Sequence, residues 1–359
     1  MTATPLSGTA PLGGAAPLDD QILIRHQVRV LDLAQGFFQA GAFSALLKLR
    51  VFERLDGAPK TAAQLAQEVG ARADRVERLL QAGVAFRLLE HTVEGRYALT
   101  PASQAILAPS AGENYIGNWL RNLDFFAELF TRLEPAVLEG GPVISEVRGH
   151  LGGDPALTRE FILAMHNYAA LRGKDLAAAL DTTGCRTMLD VGAGPGTYSF
   201  LVGAANPALA LGLVDLPGVL DVAREVAGRY ALPNPVTYHT LDALKDPIPG
   251  KHDLVLVSNI LHMLAEDESR GLIRKLFQNV APGGSLVIQG MFLDDPETPV
   301  PQRWPVMVDL LSLCMTEAGR NHSPSEGRQW MEEAGFVDVE HCRMPSFSVT
   351  SYLRGWRRA

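Results

Sequence analysis

The chain of 359 residues is 47% hydrophobic and 20% charged, the balance of an ordinary globular protein with material for two domains. Its formal net charge of −8 argues against nucleic acid as the main partner. Three widely spaced cysteines, Cys185, Cys314 and Cys342, form neither a disulfide framework nor a zinc pattern, so no metal is expected and a reducing cytoplasm fits best.

Residues 1–18 lack the basic start and apolar core of a signal peptide and read as a disordered tail. No uninterrupted apolar run reaches the ~18 residues that cross a bilayer, so no membrane partner is expected. From Asp19 to about Leu55, apolar residues at helical spacing (Leu23, Val30, Leu33, Phe37, Phe38, Leu46, Leu47) predict two or more helices, with a break in the Gly36 to Gly41 region. Thr61-Ala-Ala-Gln64 is a capping-box pattern and opens a short helix ending at Gly70; a second helix is predicted from Ala73 to Phe86. Leu88-Leu89-Glu90 and Tyr97-Ala98-Leu99 flank a Gly95 turn as a small hairpin does. Together these make a winged-helix domain over residues 19–110. Such a domain can read DNA, but residues 1–110 hold eleven Lys/Arg against ten Asp/Glu, and Arg72, Arg75 and Arg78 alternate with Asp74 and Glu77. The favoured role is an apolar helical surface that packs against a second copy.

Residues 111–180 are predicted to be a helical linker and pocket region, interrupted by Gly140-Gly-Pro142 and rich in aromatic residues, among them Trp119, Phe126, Phe161 and Tyr168. In the last segment, 181–359, short apolar strands at 187–191, 210–214, 235–239, 253–258 and 285–290 alternate with helices. That is the pattern of a doubly wound α/β sheet. Gly335 to Glu340 and Ser346 to Leu353 supply two more strands, expected antiparallel at the sheet edge.

The most informative stretch is Leu189-Asp-Val-Gly-Ala-Gly-Pro-Gly196: a buried strand, a glycine-rich turn, then a helix. The acidic Asp190 precedes Gly192, Gly194 and Gly196, a spacing that differs from the G-x-G-x-x-G of dinucleotide sites. Asp215 and Leu216 end the second strand, where a carboxylate can accept from two ribose hydroxyls. Asp242 and Ala243 follow the third strand, beside an expected adenine; Ser258 and Asn259 end the fourth. Any one of these aspartates has a plain alternative as a helix cap.

The Asp-x-Gly-x-Gly-x-Gly turn resembles motif I of class I methyltransferases, which bind S-adenosylmethionine. With Val214-Asp-Leu-Pro217, Asn259-Ile-Leu-His262 and Ala281-Pro-Gly-Gly284, the chain from residue 20 to 355 resembles the plant-type small-molecule O-methyltransferases and their bacterial relatives. The resemblance implies a class I Rossmann-like domain behind a winged-helix dimerisation domain, S-adenosylmethionine as cofactor, a homodimer and a small-molecule substrate. It implies that His262 is the general base for a substrate hydroxyl, since a histidine after the fourth strand has that role in the family. Where the family has His-Asp-Trp, this chain has His262-Met263-Leu264. The two glutamates that flank the base in the plant enzymes fall near Gly290 and Asn321, neither acidic, with Glu266 a substitute if one helix carries both it and His262.

Met165, His166, Met291, Trp304, Met307 and Leu311 are candidate pocket residues for a flat hydrophobic substrate, with core packing as the plain alternative. The expected activity is O-methylation of a hydroxylated aromatic or polyketide-like molecule. The alternatives are C- or N-methylation, a non-methylating S-adenosylmethionine reaction, or a winged-helix regulator that senses a metabolite.

Overall fold

The computed structural model describes residues 19–143, 154–295, 301–344 and 349–359; the 1–18 segment and residues 346–348 of the predicted final strand lie outside these. The N-terminal half is mostly helical: α1 (Asp20–Lys48), α2 (Val51–Arg54), α3 (Ala62–Val69), α4 (Ala73–Ala85), the hairpin β1 (Leu89–His91) and β2 (Tyr97–Leu99), α5 (Pro101–Leu107), α6 (Gly117–Phe130), α7 (Leu133–Glu139) and α8 (Pro155–Ala179). Thr61 and Gln64 close the capping box of α3 as their spacing requires, at 3.2 and 2.8 Å. Leu46, Phe52, Leu65, Leu80 and Leu89 are fully buried together and form this unit's core. Each contributes roughly 1.5–3 kcal/mol by leaving water.

The expected break in the first helix is absent. Residues 20–48 form one helix of 29 residues, because Gly36 and Gly41 contact nothing that would bend it. Ile22, Leu23, Ile24, Val28, Val30, Leu31, Leu33, Phe37 and Phe38 are all exposed along it. By length and composition alone this helix is apolar enough to cross a membrane, although no uninterrupted apolar run is that long.

The C-terminal half alternates: β3 (Thr187–Val191), α9 (Thr197–Ala205), β4 (Ala210–Asp215), α10 (Pro217–Ala227), β5 (Val236–Thr240), β6 (His252–Ser258), α11 (Glu266–Asn279), β7 (Val280–Gly290), α12 (Arg303–Met315), α13 (Pro324–Ala334), β8 (Val337–Arg343) and β9 (Ser351–Trp356). The sheet order is β5-β4-β3-β6-β7-β9-β8, parallel through β7 and antiparallel at the β7–β9–β8 edge. The central parallel strands β3, β4, β6 and β7 are buried on both faces, which is why their sequences run apolar, while the edge strand β5 is half-exposed and polar. Chain order reverses between β3 and β6, and ligands in such sheets bind beyond the strand ends at that switch.

Candidate active site

The glycine turn leaves β3 at the switch point. Gly192 and Ala193 donate backbone N–H bonds to the Val214 carbonyl at 2.8 and 3.1 Å, tying the turn to β4. Gly192 has φ +68°, and a β-carbon there would stand 2.0 Å from the Ile260 side chain, so only glycine fits. Gly194 has φ +55° with nothing within 4 Å of where its β-carbon would be, which leaves its outer face open.

The Asp215 carboxylate accepts from the Gly194 N–H and the Leu216 N–H, both at 2.8 Å, one at each oxygen. Each oxygen keeps an acceptor position. Burial raises the Asp215 pKa, opposed by the two amide bonds. Asp190 is fully buried; Oδ2 accepts from the Ser199 hydroxyl at 2.6 Å while Oδ1 has no partner among the described residues. Desolvation, together with the nearby Asp215 charge, pushes its pKa up to about 7. Asp242 closes its own turn, accepting from the Leu244 N–H at 3.0 Å and pairing with Lys245 at 3.1 Å, with Ala243 half-buried beside it.

His262 lies on a single 3-10 turn, Leu261–Met263, between β6 and α11. It is mostly enclosed but keeps part of its surface open, and burial lowers its pKa to about 4, with a smaller contribution from His322. Among the described residues no carboxylate bonds its imidazole. Glu266 does not substitute: the chain is extended at Leu264, so a new helix begins at Glu266. The Glu266 carboxylate instead pairs with Arg320 at 3.0 Å and Arg270 at 3.3 Å. At Gly290 a β-carbon would meet nothing within 4 Å, so the first partner position is open space. The second is diverted: buried Asn321 donates from Nδ2 to the Pro305 carbonyl and from its N–H to Asp309, both at 2.7 Å, holding the start of α12.

The predicted pocket residues divide. Met165, Met291, Met307 and Leu311 are half-buried, and Leu311 shares an apolar cluster with Phe126, Leu133 and Met263. His166 does not join them. It is buried with Nδ1 2.8 Å from the Thr197 hydroxyl and its ring edge-on to Tyr230, pinning α8 to α9 beneath the glycine turn. Trp304 is 57% exposed and lies on the outer face of α12 in the single chain.

Sequence reasoning singled out Ser258 and Asn259 at these strand ends but not the Gln289 side chain that joins them. Gln289, at the end of β7, accepts at Oε1 from the Ser258 hydroxyl and from Asn259 Nδ2, the latter at 2.9 Å. Asn259, held at φ +54°, also reaches the Tyr198 hydroxyl at 3.3 Å. Asparagine tolerates that positive φ better than most residues.

Comparison with known proteins decides what the cleft belongs to. Residues 131–337 match the O-methyltransferase domain and residues 31–109 the O-methyltransferase dimerisation domain. The chain belongs to the O-methyltransferase family. It is therefore a methyltransferase that depends on S-adenosylmethionine. It is 27% identical to a 3-hydroxy-5-methyl-1-naphthoate 3-O-methyltransferase of Streptomyces sahachiroi, over 90% of this chain and 93% of that protein. It is 28% identical to a tetracenomycin polyketide synthesis 8-O-methyl transferase of Streptomyces glaucescens, over 88% and 93%. Its fold matches human N-acetylserotonin methyltransferase, solved in complex with S-adenosylmethionine, with a TM-score of 0.82 at 20% identity over 96% of this chain and 100% of the other. The cleft fits the family cofactor: an unobstructed glycine face at Gly194 beside a buried carboxylate with two free acceptor positions.

Proposed function

We propose that this O-methyltransferase transfers a methyl group to a hydroxyl of a flat aromatic or polyketide-like small molecule, as a homodimer, with His262 as general base. The observation that carries the reading is the position of His262. It sits on the turn after β6, with Ser258 and Asn259 of the cofactor cleft on one side and Met263 packed with Leu311 of α12 on the other. In this reading Gly192, Gly194 and Gly196 admit the cofactor, Asp215 accepts from its ribose hydroxyls, and Asp242 and Ala243 face its adenine. Asp190, Ser258 and Asn259 flank the methionine part. S-adenosylmethionine supplies a methyl group on a sulfonium, which leaves as a neutral thioether. With the cofactor bound, the cleft would hold the acceptor oxygen facing that methyl group, and the His262 imidazole would take the proton of the acceptor hydroxyl.

A histidine with its pKa lowered to about 4 is a weak base. Without a carboxylate partner it suits an acceptor that is itself acidic, such as a phenol conjugated to a carbonyl. The apolar surfaces of Met165, Met291, Met307 and Leu311, the hydroxynaphthoate named for one Streptomyces relative and the 8-O-methyl transfer in polyketide synthesis named for the other support that substrate class. The test incubates the protein with S-adenosylmethionine carrying a labelled methyl group and a panel of hydroxylated polycyclic aromatics. Label on oxygen is expected, with His262→Ala lowering kcat by about 10²–10⁴-fold and leaving S-adenosylhomocysteine affinity unchanged. Label on nitrogen or carbon overturns O-methylation, and an unchanged kcat in the variant overturns the base.

A further inference from the structure

The segment between β5 and β6, which carries Asp242 and Ala243, is held from behind by α11. Leu241, Ala243 and Leu244 pack on the apolar cluster that contains Leu272, Ile273 and Leu276 of that helix. Two polar side chains one turn apart on α11 complete the hold. Lys275 donates from Nζ to the Ala243 carbonyl at 2.8 Å and to the Asp246 carbonyl. Asn279 donates from Nδ2 to the carbonyls of Ile248 and Gly250 at 2.8 and 2.9 Å. Residues at i and i+4 share a helix face, so the pair grips four carbonyls of one loop.

The two bonds of Lys275 bracket the Asp242 turn. The Ala243 carbonyl belongs to the same planar peptide as the Leu244 N–H, and that N–H donates to Asp242 Oδ1 at 3.0 Å. A peptide gripped at its oxygen is fixed at its N–H as well, and an ammonium on the oxygen polarises the N–H into a stronger donor. At the other end of the turn, the Asp246 carboxylate accepts the Asp242 N–H at 2.8 Å, and the Asp246 N–H returns to the Asp242 carbonyl at 2.8 Å. Lys245, beside the second oxygen of Asp242, is 82% exposed and a weak constraint.

We propose that Lys275 is a positioning residue for cofactor recognition: through the Ala243–Leu244 peptide it aims the Asp242 carboxylate at the 6-amino group of adenine. The inference rests on the functional reading above for the place of the adenine.

The test is calorimetric titration with S-adenosylhomocysteine and with its 6-deamino analogue, in which hydrogen replaces the adenine amino group. Wild type should prefer the first by about tenfold, the worth of one hydrogen bond to a charged acceptor. Lys275→Met is expected to abolish that preference by weakening S-adenosylhomocysteine and not the analogue. Lys275→Arg, which still donates from a cation, should restore most of it. Asp242→Ala should abolish the preference too, and adding Lys275→Met to it should cost nothing further. Asn279→Ala frees the far end of the loop and is expected to lower the melting temperature with the preference intact. A preference that survives in Lys275→Met overturns the role of Lys275 and leaves the adenine beside Asp242. Loss of the preference in Asn279→Ala overturns it as well, since any loosening of the loop would then suffice. A wild type that binds both ligands equally refutes the place of the adenine itself, and the proposal falls with it.

Discussion

At the scale of single residues, the chemistry turns on which groups carry charge at neutral pH. His262 and His166 both have pKa values lowered to about 4 by burial, so both are neutral from pH 8 down to about 5. The rate should therefore not fall as pH drops through 6.5, the ordinary histidine value. We expect kcat/KM on an acceptor already ionised or neutral throughout the range to stay flat to about pH 5; a fall centred near 6.5 would mean the imidazole is solvated or paired. Gly290→Glu has room for its side chain. It is expected to restore a carboxylate near His262 and move the acid limb of the profile upward. The buried histidines also set stability: between pH 6.5 and 4 the unfolded chain takes up protons at His166 and His262 that the folded chain refuses. Stability is thus lost as pH falls through that window, by up to about 1.4 kcal/mol per unit for each site. Asp190, raised to about 7, acts in the opposite sense, its contribution being lost as pH rises from about 4 through 7. Asp215, also raised by burial, acts with Asp190, while His322, His239 and His341, all lowered by burial, act with His166 and His262; with five groups against two, acid destabilisation should win, which thermal melts from pH 7 to 4.5 would check. The placing of the candidate residues at strand ends was legible beforehand, because the Asp190–Gly196 spacing and Asp215 depend only on local chain order there. The buried Tyr168 hydroxyl, without a partner among the described residues, was not, because a tyrosine on a packed helix looks like any core residue.

Among elements, β3, β4 and β6 were read to within a residue because the centre of the sheet, buried on both faces, leaves continuous apolar runs between turn residues, whereas β7 starts five residues earlier than expected and the edge strands β8 and β9 are displaced by two to five. The failures came where an element's neighbour is remote in sequence. Glu266 could substitute only if one helix carried both it and His262, yet the chain between them is extended, and the carboxylate goes to Arg320, 54 residues on. Likewise Asn321 is spent on α12, which no spacing rule reveals. The loop holding Arg320 and Asn321 presses directly on the turn that carries His262: a β-carbon on Gly319 would lie 2.7 Å from the His262 carbonyl oxygen and 3.0 Å from the Met263 carbonyl carbon. Backbone cannot yield as a side-chain tip can. Gly319→Ala is therefore expected to shift the Leu261–Met263 turn and lower kcat at least tenfold while leaving S-adenosylhomocysteine affinity intact, since Asp215 and the glycine turn lie on other strands. Equal losses in kcat and in cofactor affinity would show instead that the substitution disorders the whole domain.

For the whole molecule the commanding feature is α1. Its 29 residues extend roughly 43 Å at 1.5 Å per residue, and the row from Ile22 to Phe38 is exposed, Phe37 and Phe38 at 66% and 65%. Soluble monomers rarely leave so long an apolar surface uncovered. The matched dimerisation domain begins at residue 31, inside this helix, so a second copy is the expected cover. The sequence suggested a break because Gly36 and Gly41 lower helix propensity there, yet the helix runs through both, with only Leu46 and Leu47 buried within it. A double substitution Phe37→Asp and Phe38→Asp should convert the dimer to a monomer, measured by light scattering after size exclusion. Val93→Asp, on the fully exposed wing, serves as the control and should leave the mass unchanged. Because Ser44 and Lys48 at the other end of α1 hold Asp124 of α6, freeing the helix should also loosen α6 and the apolar cluster that packs on α12. Acceptor KM is then expected to rise in the monomer more than cofactor affinity falls; a monomer with unchanged KM would show that the two copies work independently.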